Sequence, residues 1–238
     1  MIKDKKITAL IPVRKGSKRV VNKNTRPFSD TNLLENKIKI LQEVNELTDE
    51  HIDEILVTSD CPIAKSIAKK WGVSYVDREE YYASDECPGS KNLEYIAGQT
   101  NTEYVLFAPV TAPFVTSKTY SKVISKFKSN LDKHDSVVTV HYPKQFFWMD
   151  GKPLNYDPYD CPKSQDLSSV FSLTFGACLL PREKMIEKRY VVGDNPLWYE
   201  LDDVESIDID TEFDYKGDEL LYEFGQKYRY IKEKLKGN

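Results

Sequence analysis

Six cations, Arg14, Lys15, Lys18, Arg19, Lys23 and Arg26, fall within thirteen residues of a chain whose formal net charge is −4. Gly16, Ser17, Asn22 and Asn24 are interleaved with them. A run of this kind attracts a dense anion, and Gly16 is expected to let the backbone turn so that amide N–H groups converge on it. The spacing is neither GxxxxGK[ST] nor GxGxxG, so kinase-like and dehydrogenase readings lose their main support. Taken alone, the run also fits a solvated basic loop. The second constellation is Asp208-Ile209-Asp210. In an extended segment residues two apart share a face, which puts the two carboxylates about 7 Å apart at their Cα atoms. They repel unless a cation or base lies between them, and hard oxygen ligands suit Mg²⁺ or Mn²⁺, above all when a substrate phosphate completes the shell. The competing reading is a solvent-facing edge with Ile207 and Ile209 turned inward. The third is Arg78 to Asp85, whose Arg78, Ser84 and Asp85 offer a cation, a hydroxyl and an acid in a loop.

The elements that must position these groups alternate from the start. Ile7 to Val13 is a short continuous apolar run, expected of a strand buried on both faces. The apolar spacing predicts a helix over Leu33 to Leu47, a strand over Glu54 to Thr58, and a short helix from Pro62 to Trp71 ended by Gly72. Strands are expected at Val73 to Val76, Glu103 to Phe107, Ser136 to Tyr142 and Val170 to Leu180, and helices at Asn92 to Gly98 and Thr116 to Phe127. Glu205 to Asp210 reads as a strand and Thr211 to Leu235 as a long charged terminal helix. Strands alternating with helices predict an α/β, Rossmann-like fold, a mostly parallel sheet flanked by helices. The basic run follows the first buried strand, and ligands bind at the carboxyl ends of strands in such sheets. That position favours an anion site over a solvated loop.

The pattern breaks between residues 143 and 169. Pro143, Pro153, Pro158 and Pro162 fall there, with an aromatic cluster at Phe146, Phe147 and Trp148. A structureless loop that long is uncommon in a compact domain, so the segment is read as a small insert that packs on substrate or on another subunit.

The chain of 238 residues is expected to form a single large domain, 1–238, with the 143–169 insert inside it. Charged residues make up 30% and hydrophobic residues 40%, an ordinary globular mix that needs no staples. The acidic balance disfavours a nucleic-acid coat protein and confines any polyanion site to a local patch. No apolar run approaches the ~18 residues of a membrane helix. Met1 to Lys6 lacks the apolar core of a signal peptide, so the expected compartment is the cytoplasm. Cys61, Cys87, Cys161 and Cys178 are scattered and far from His51, His134 and His141, which disfavours a zinc site or a disulfide framework.

Ile11 to Asn24, IPVRKGSKRVVNKN, resembles the N-terminal signature of the acylneuraminate cytidylyltransferases, the CMP-sialic acid synthetase family. Arg78 followed by Ala83-Ser84-Asp85, then Thr111-Ala112-Pro113-Phe114, then Ser206 to Asp214 (SIDIDTEFD), are similar to further family segments in the same order. The likeness spans about Ile7 to Tyr222. It implies transfer of CMP from CTP to an acidic sugar with release of pyrophosphate and with Mg²⁺ (or Mn²⁺). On that resemblance Arg14, Gly16, Ser17, Lys23 and Asn24 hold the triphosphate, and Lys23 neutralises charge near the α-phosphate. Arg78, Ser84 and Asp85 lie near the cytidine, and Asp208 and Asp210 hold the metal, with Arg14, Lys23 and Asp210 as the catalytic set. It also implies a homodimer built through the insert.

Departures from the family pattern fall mostly on the acceptor side. The signature Pro is Val21 here. The family's Gln falls on Pro109, one Arg on Val115 and another on Leu173. Thr111 and, from the insert, Lys144, Gln145 and Gln165 are the acceptor-side candidates, with Lys163 or Lys144 as the replacement charge for the missing Arg. The preferred acceptor is therefore expected to be an acidic sugar other than N-acetylneuraminate. Two other readings remain open at this level: a nucleotide-sugar glycosyltransferase using the Asp208/Asp210 pair, and a non-catalytic nucleotide-binding relative.

Overall fold

The computed structural model describes residues 5–236, with side chains to residue 227. Seven strands form one sheet in the order β3-β2-β1-β4-β8-β5-β9. They are β1 (Ile7–Pro12), β2 (Glu54–Ser59), β3 (Ser74–Asp77), β4 (Tyr104–Phe107), β5 (Ser136–His141), β8 (Ser172–Pro181) and β9 (Pro196–Glu200). β8 runs antiparallel to β4 and β5, and the other pairs are parallel. The helices are α1 (Leu33–Leu47), α2 (Pro62–Lys70), α3 (Glu80–Ala83), α4 (Gly89–Gly98), α5 (Ser117–Ser129), α6 (Arg182–Lys188) and α7 (Glu212–Lys236). This is the α/β, mostly parallel architecture expected from the alternating pattern.

The sheet is buried on both faces because alternate residues of its strands feed two cores. Ile7, Ala9 and Ile11 of β1 pack with Leu34, Ile38 and Leu41 of α1, Ile67 of α2 and Val123 of α5. Leu10 faces the other way, toward Ile96 and Ala97 of α4 and Met185 of α6. Each such aliphatic side chain contributes roughly 1.5–3 kcal/mol when fully buried, so strand period and helix period together lock the layer order. Helix ends agree with their local chemistry. The Asn32 side chain accepts from the Glu35 N–H at the start of α1, and Thr116 accepts from the Thr119 N–H at the start of α5. Gly72 follows α2 at φ +67, a backbone region that favours glycine.

Chain order reverses between β1 and β4. β1 leads to β2 and β3 on one side, and the chain then returns to β4 on the other. A crevice must open at the carboxyl ends of the strands at this switch point. The loops after β1 and β4 form its two banks.

One expectation fails here. Glu205 to Asp210 is not a strand: it is a turn followed by irregular chain. Its alternation is real, since Ile209 is buried, but no strand of the sheet lies beside it. One backbone bond, Ile209 N–H to Thr111 O at 2.9 Å, attaches it to the loop after β4. The insert has regular structure of its own. It forms a hairpin, β6 (Trp148–Met149) and β7 (Lys152–Pro153), followed by a 3₁₀ turn at Ser164–Asp166. Asp150 and Gly151 both have positive φ (52 and 76), as a tight two-residue hairpin turn requires. Buried Asn155 holds the hairpin base, accepting from Phe147 N–H and donating to Gln145 O.

Candidate active site

The crevice is a cleft of about 410 Å³ lined by Pro12, Arg14, Ser17, Lys18, Arg19, Val20, Lys23 and Asn24 from one bank. Arg78, Asp85 and Asn92 line one end, and Pro109, Val110 and Thr111 the other bank. Arg14, Ser17, Lys23, Asn24, Arg78, Asp85 and Thr111, seven of the residues singled out by sequence, therefore meet in one place.

The basic loop is held by its own backbone and by acids from distant segments. Asn24 is buried and donates from Nδ2 to Arg14 O at 3.1 Å, which ties the two ends of the loop together. Lys23 N–H donates to Val20 O, and Asn22 takes the left-handed conformation at φ 53. The turn expected at Gly16 is thus made at Asn22. Gly16 has no positive φ, a Cβ there would meet nothing within 4 Å, and it does not line the cleft. Arg14 and Lys18 both pair with Asp85, at 2.5 and 2.6 Å, and these cations hold the Asp85 carboxyl down at about 2. Arg26 leaves the site: it forks onto Glu212 at 2.7 and 2.8 Å and lies 3.7 Å from the Tyr215 ring centre, fastening α7 to the loop.

That fastening brings the second constellation in. Asp214, in the first turn of α7, accepts from the N–H groups of Asp210 and Thr211 at 3.0 and 2.7 Å. Asp210 then pairs with Arg19 at 2.8 Å and lies 3.8 Å from Lys23 Nζ. Lys23 Nζ donates to Ile209 O at 2.7 Å. Its pKa is lowered, chiefly by burial, against the opposing pull of Asp210 and Asp208. Asp208 is raised from its ordinary value, chiefly by loss of hydration and further by Asp210, with Thr111 opposing the rise. Asp218, one turn further along α7, is pushed up to about 6 by burial and by Asp214 and Asp208. Excess negative charge thus collects beside Lys23, and a cation placed there would relieve it.

Asp208 and Asp210 supply two hard carboxylates. Among the described residues no group of three or more His, Cys, Asp or Glu is arranged to hold a metal ion. The pair therefore fits Mg²⁺ or Mn²⁺ only with substrate oxygens completing the shell, the usual arrangement for Mg²⁺.

At the other end Arg78 is buried. Its Nη2 donates to Thr58 O at 2.6 Å, and burial pushes the guanidinium down to about 10. Asn92 lines the same end with its buried Oδ1 unpaired. Ser84 does not line the cleft, because its hydroxyl donates to Tyr81 O and accepts from Glu86 N–H within its own turn. Lys144, Gln145 and Gln165 are exposed on the insert and do not line the cleft either.

Sequence reasoning missed the polar anchor behind the second bank. Lys37 of α1 is wholly buried; its Nζ donates to Ala112 O at 2.8 Å and to the Tyr120 hydroxyl at 2.7 Å. The neighbouring Asn36 Nδ2 donates to Pro113 O at 3.0 Å. The available signal was an Asn-Lys pair between Leu34 and Leu41, on the apolar side of a helix.

A parallel α/β sheet with a cationic loop and a carboxylate pair across its switch point defines a nucleotide-binding protein of the nucleotidyltransferase class. Comparison with known proteins narrows the class. The family model described as cytidylyltransferase matches residues 8–147, more than half of the chain, and the chain belongs to that family. It is 28% identical to N-acylneuraminate cytidylyltransferase of Escherichia coli O18:K1:H7 over 89% of this chain and 51% of that protein. It is 26% identical to post-translational flagellin modification protein B of Campylobacter coli over 90% of this chain and 94% of that one. The chain thus spans about half the length of the first of these relatives. Among solved structures, a CMP:2-keto-3-deoxy-manno-octonic acid synthetase complexed with CTP shares the fold at TM-score 0.65 and 11% identity, covering 92% of this chain and 99% of that one. A 4-diphosphocytidyl-2C-methyl-D-erythritol synthase from Anaerococcus prevotii does so at 0.61 and 18%, covering 92% and 99%.

Proposed function

We propose that this chain transfers CMP from CTP to an acidic sugar of the 2-keto-3-deoxy class and releases pyrophosphate. The observation that carries the reading is the junction at Lys23: one ammonium joins the cationic loop after β1 to the Ile209–Asp210 segment across the cleft.

Arg14, Ser17 and Lys23 bind the triphosphate, and Asn24 holds the loop in shape from behind. Lys23 is the group placed to neutralise charge developing on the α-phosphate. Arg78 and Asp85 bound the end that takes the cytidine. Asp208 and Asp210 would hold Mg²⁺ or Mn²⁺, which when bound supplies further neutralisation of phosphate charge. The acceptor hydroxyl attacks the α-phosphorus in line, the bond to the bridging oxygen of pyrophosphate breaks, and the hydroxyl proton leaves to solvent. Such chemistry needs positioning and charge neutralisation more than covalent help from the protein.

The acceptor enters from the side of β4, β8 and the insert. Pro109 lines the cleft where the resemblance would place a Gln, and Leu173 occupies the Arg position on β8. Neither donates a side-chain hydrogen bond, so bidentate recognition of a carboxylate must come from elsewhere. Lys144, Lys163, Gln145 and Gln165 of the insert are the candidates, and Thr111 the acceptor-side residue of the cleft wall. Phe146, Trp148 and Met149 are exposed on the same insert, Trp148 at 58%. Apolar surface of this kind favours a homodimer that covers it.

The test is pyrophosphate release from CTP with Mg²⁺ and a panel of 2-keto-3-deoxy acids. Release is expected with at least one acid and not with CTP alone. No release with any acid would favour the non-catalytic relative. N-acetylneuraminate is expected to be a poor acceptor; if it is best by tenfold in kcat/KM, about 1.4 kcal/mol, the substitutions at Pro109 and Leu173 do not set acceptor choice.

A further inference from the structure

The loop from Ala108 to Val115 carries Thr111, which lines the cleft and whose carbonyl accepts from the Ile209 N–H, beside Asp208, at 2.9 Å. Irregular backbone inside a protein must find partners for its carbonyls. Two carbonyls on the acceptor side are affected. Ala112 O lies in this loop. Gly176 O lies on β8 where the pairing with β5 shifts register, between Val138 and Val140. A single chain of hydrogen bonds collects both. Lys37 Nζ donates to Ala112 O at 2.8 Å and to the Tyr120 hydroxyl at 2.7 Å, and that hydroxyl donates to Gly176 O at 2.9 Å. Lys37 and Tyr120 are both fully buried. The loop and the bulge also touch directly: a Cβ on Gly176 would come within 2.9 Å of Val115 Cγ2.

We propose that Lys37 and Tyr120 are a positioning pair for the acceptor side of the site: they hold the β4–α5 loop and the β8 bulge in one arrangement, and through Thr111 they hold Asp208. Neither touches substrate. A lysine at the bottom of an apolar helix face costs more to bury than the methionine or leucine that would fill the same space. What it supplies is reach, since its stem crosses the core from α1 to a carbonyl no strand or helix satisfies. A neutral amine has two N–H donors and both are used, so the pair needs no buried charge; burial brings Lys37 down to about 7, with Glu205 the opposing charge. The basic loop is anchored separately, by Asn24 and Arg26, so the pair acts on one bank of the cleft and not on the other.

The proposal rests on the transferase reading for its kinetic arm but not for its structural one. Lys37→Met keeps the stem and removes the amine; Tyr120→Phe removes only the hydroxyl and is the milder variant. In either, we expect the melting shift produced by CTP alone to stay within twofold in apparent affinity. We expect kcat/KM for the acceptor to fall at least tenfold. Amide hydrogen exchange over residues 108–115 should quicken at least tenfold, with residues 14–24 unchanged. The double variant should be little worse than Lys37→Met, because the two groups act in one chain. Exchange that quickens equally over the whole sheet would make the pair ordinary core and overturn the proposal, as would unchanged exchange over residues 108–115. If no acid supports turnover in the wild type, the transferase reading fails while the exchange experiment still decides the pair.

Discussion

The two banks of the cleft are built differently. The bank proposed to take the nucleotide is one loop after β1 whose polar groups mostly hold the loop itself in place. Asn24 closes it, Asp85 gathers Arg14 and Lys18, and Arg26 fastens α7. The bank proposed to take the acceptor is assembled from segments remote in sequence: Thr111 after β4, Asp208 and Asp210 before α7, Gly176 on β8, and a hairpin insert with exposed aromatic rings. A triphosphate presents the same shape and charge to every enzyme that uses it, so one short loop suffices to recognise it. An acceptor sugar varies, and variable recognition is carried by loops on a rigid frame. The seam between the banks is the contact of Lys23 with Ile209 and Asp210.

The largest test cuts at that seam. Asp210→Asn should lower turnover by on the order of a thousandfold or more, since a charged ligand of the cation is lost, while the fold survives. EDTA should do the same to the wild type. Full activity in either case would remove the metal role from the acidic pair.

On the nucleotide bank, Lys23→Ala and Arg14→Ala should each cost roughly 2–4 kcal/mol in transition-state stabilisation, the scale of one preorganised electrostatic contact. Steady-state kinetics in varied CTP would check this. Wild-type values in both variants would return the loop to a solvated surface and erase the contrast between the banks.

On the acceptor bank, sedimentation at micromolar concentration should show a dimer, and Trp148→Asp with Phe146→Asp should shift it toward monomer. These changes should raise acceptor KM more than CTP KM. A wild-type monomer would sink the assignment of the insert to an interface.

The smallest effect is on stability and separates the two anchoring strategies. Burial brings Lys37 down to about 7 in the folded chain, against an ordinary value of 10.5. Between those values the unfolded chain binds a proton that the folded chain does not, so stability rises with pH across that window. The penalty of burying the charge is fully present below about 7. The slope contributed by this one group is at most about 1.4 kcal/mol per pH unit. Tyr120, raised well above its ordinary value by burial, and Cys178, pushed up to about 12, face the same region and stay protonated there. Urea denaturation at pH 7.5 and 9 should therefore show a gain in the wild type that Lys37→Met loses. An equal gain in both would mean that other groups carry it.

The helix over Leu33 to Leu47 was legible to the residue because its apolar spacing is a local property. β1, β2, β4 and β5 were legible because strands buried on both faces are unbroken apolar runs. The cation cluster could be read as an anion site for the same reason, since it lies within one loop behind one strand. β9 was missed because Pro196–Glu200 is half-exposed at a sheet edge and begins with proline, so its identity as a strand comes from β5 alone. The Ile207–Ile209 alternation suggested a strand that does not form, because extended chain becomes sheet only where a neighbouring strand accepts it. Composition and local spacing determined that this chain folds as an α/β sheet with a cationic loop at its switch point. Tertiary structure alone decided that Asp210 meets Lys23, that Arg26 leaves the site to hold α7, and that Lys37 reaches a carbonyl across the core. Those pairings join residues 75 or more positions apart, and no periodicity of 2 or 3.6 residues carries information over that distance.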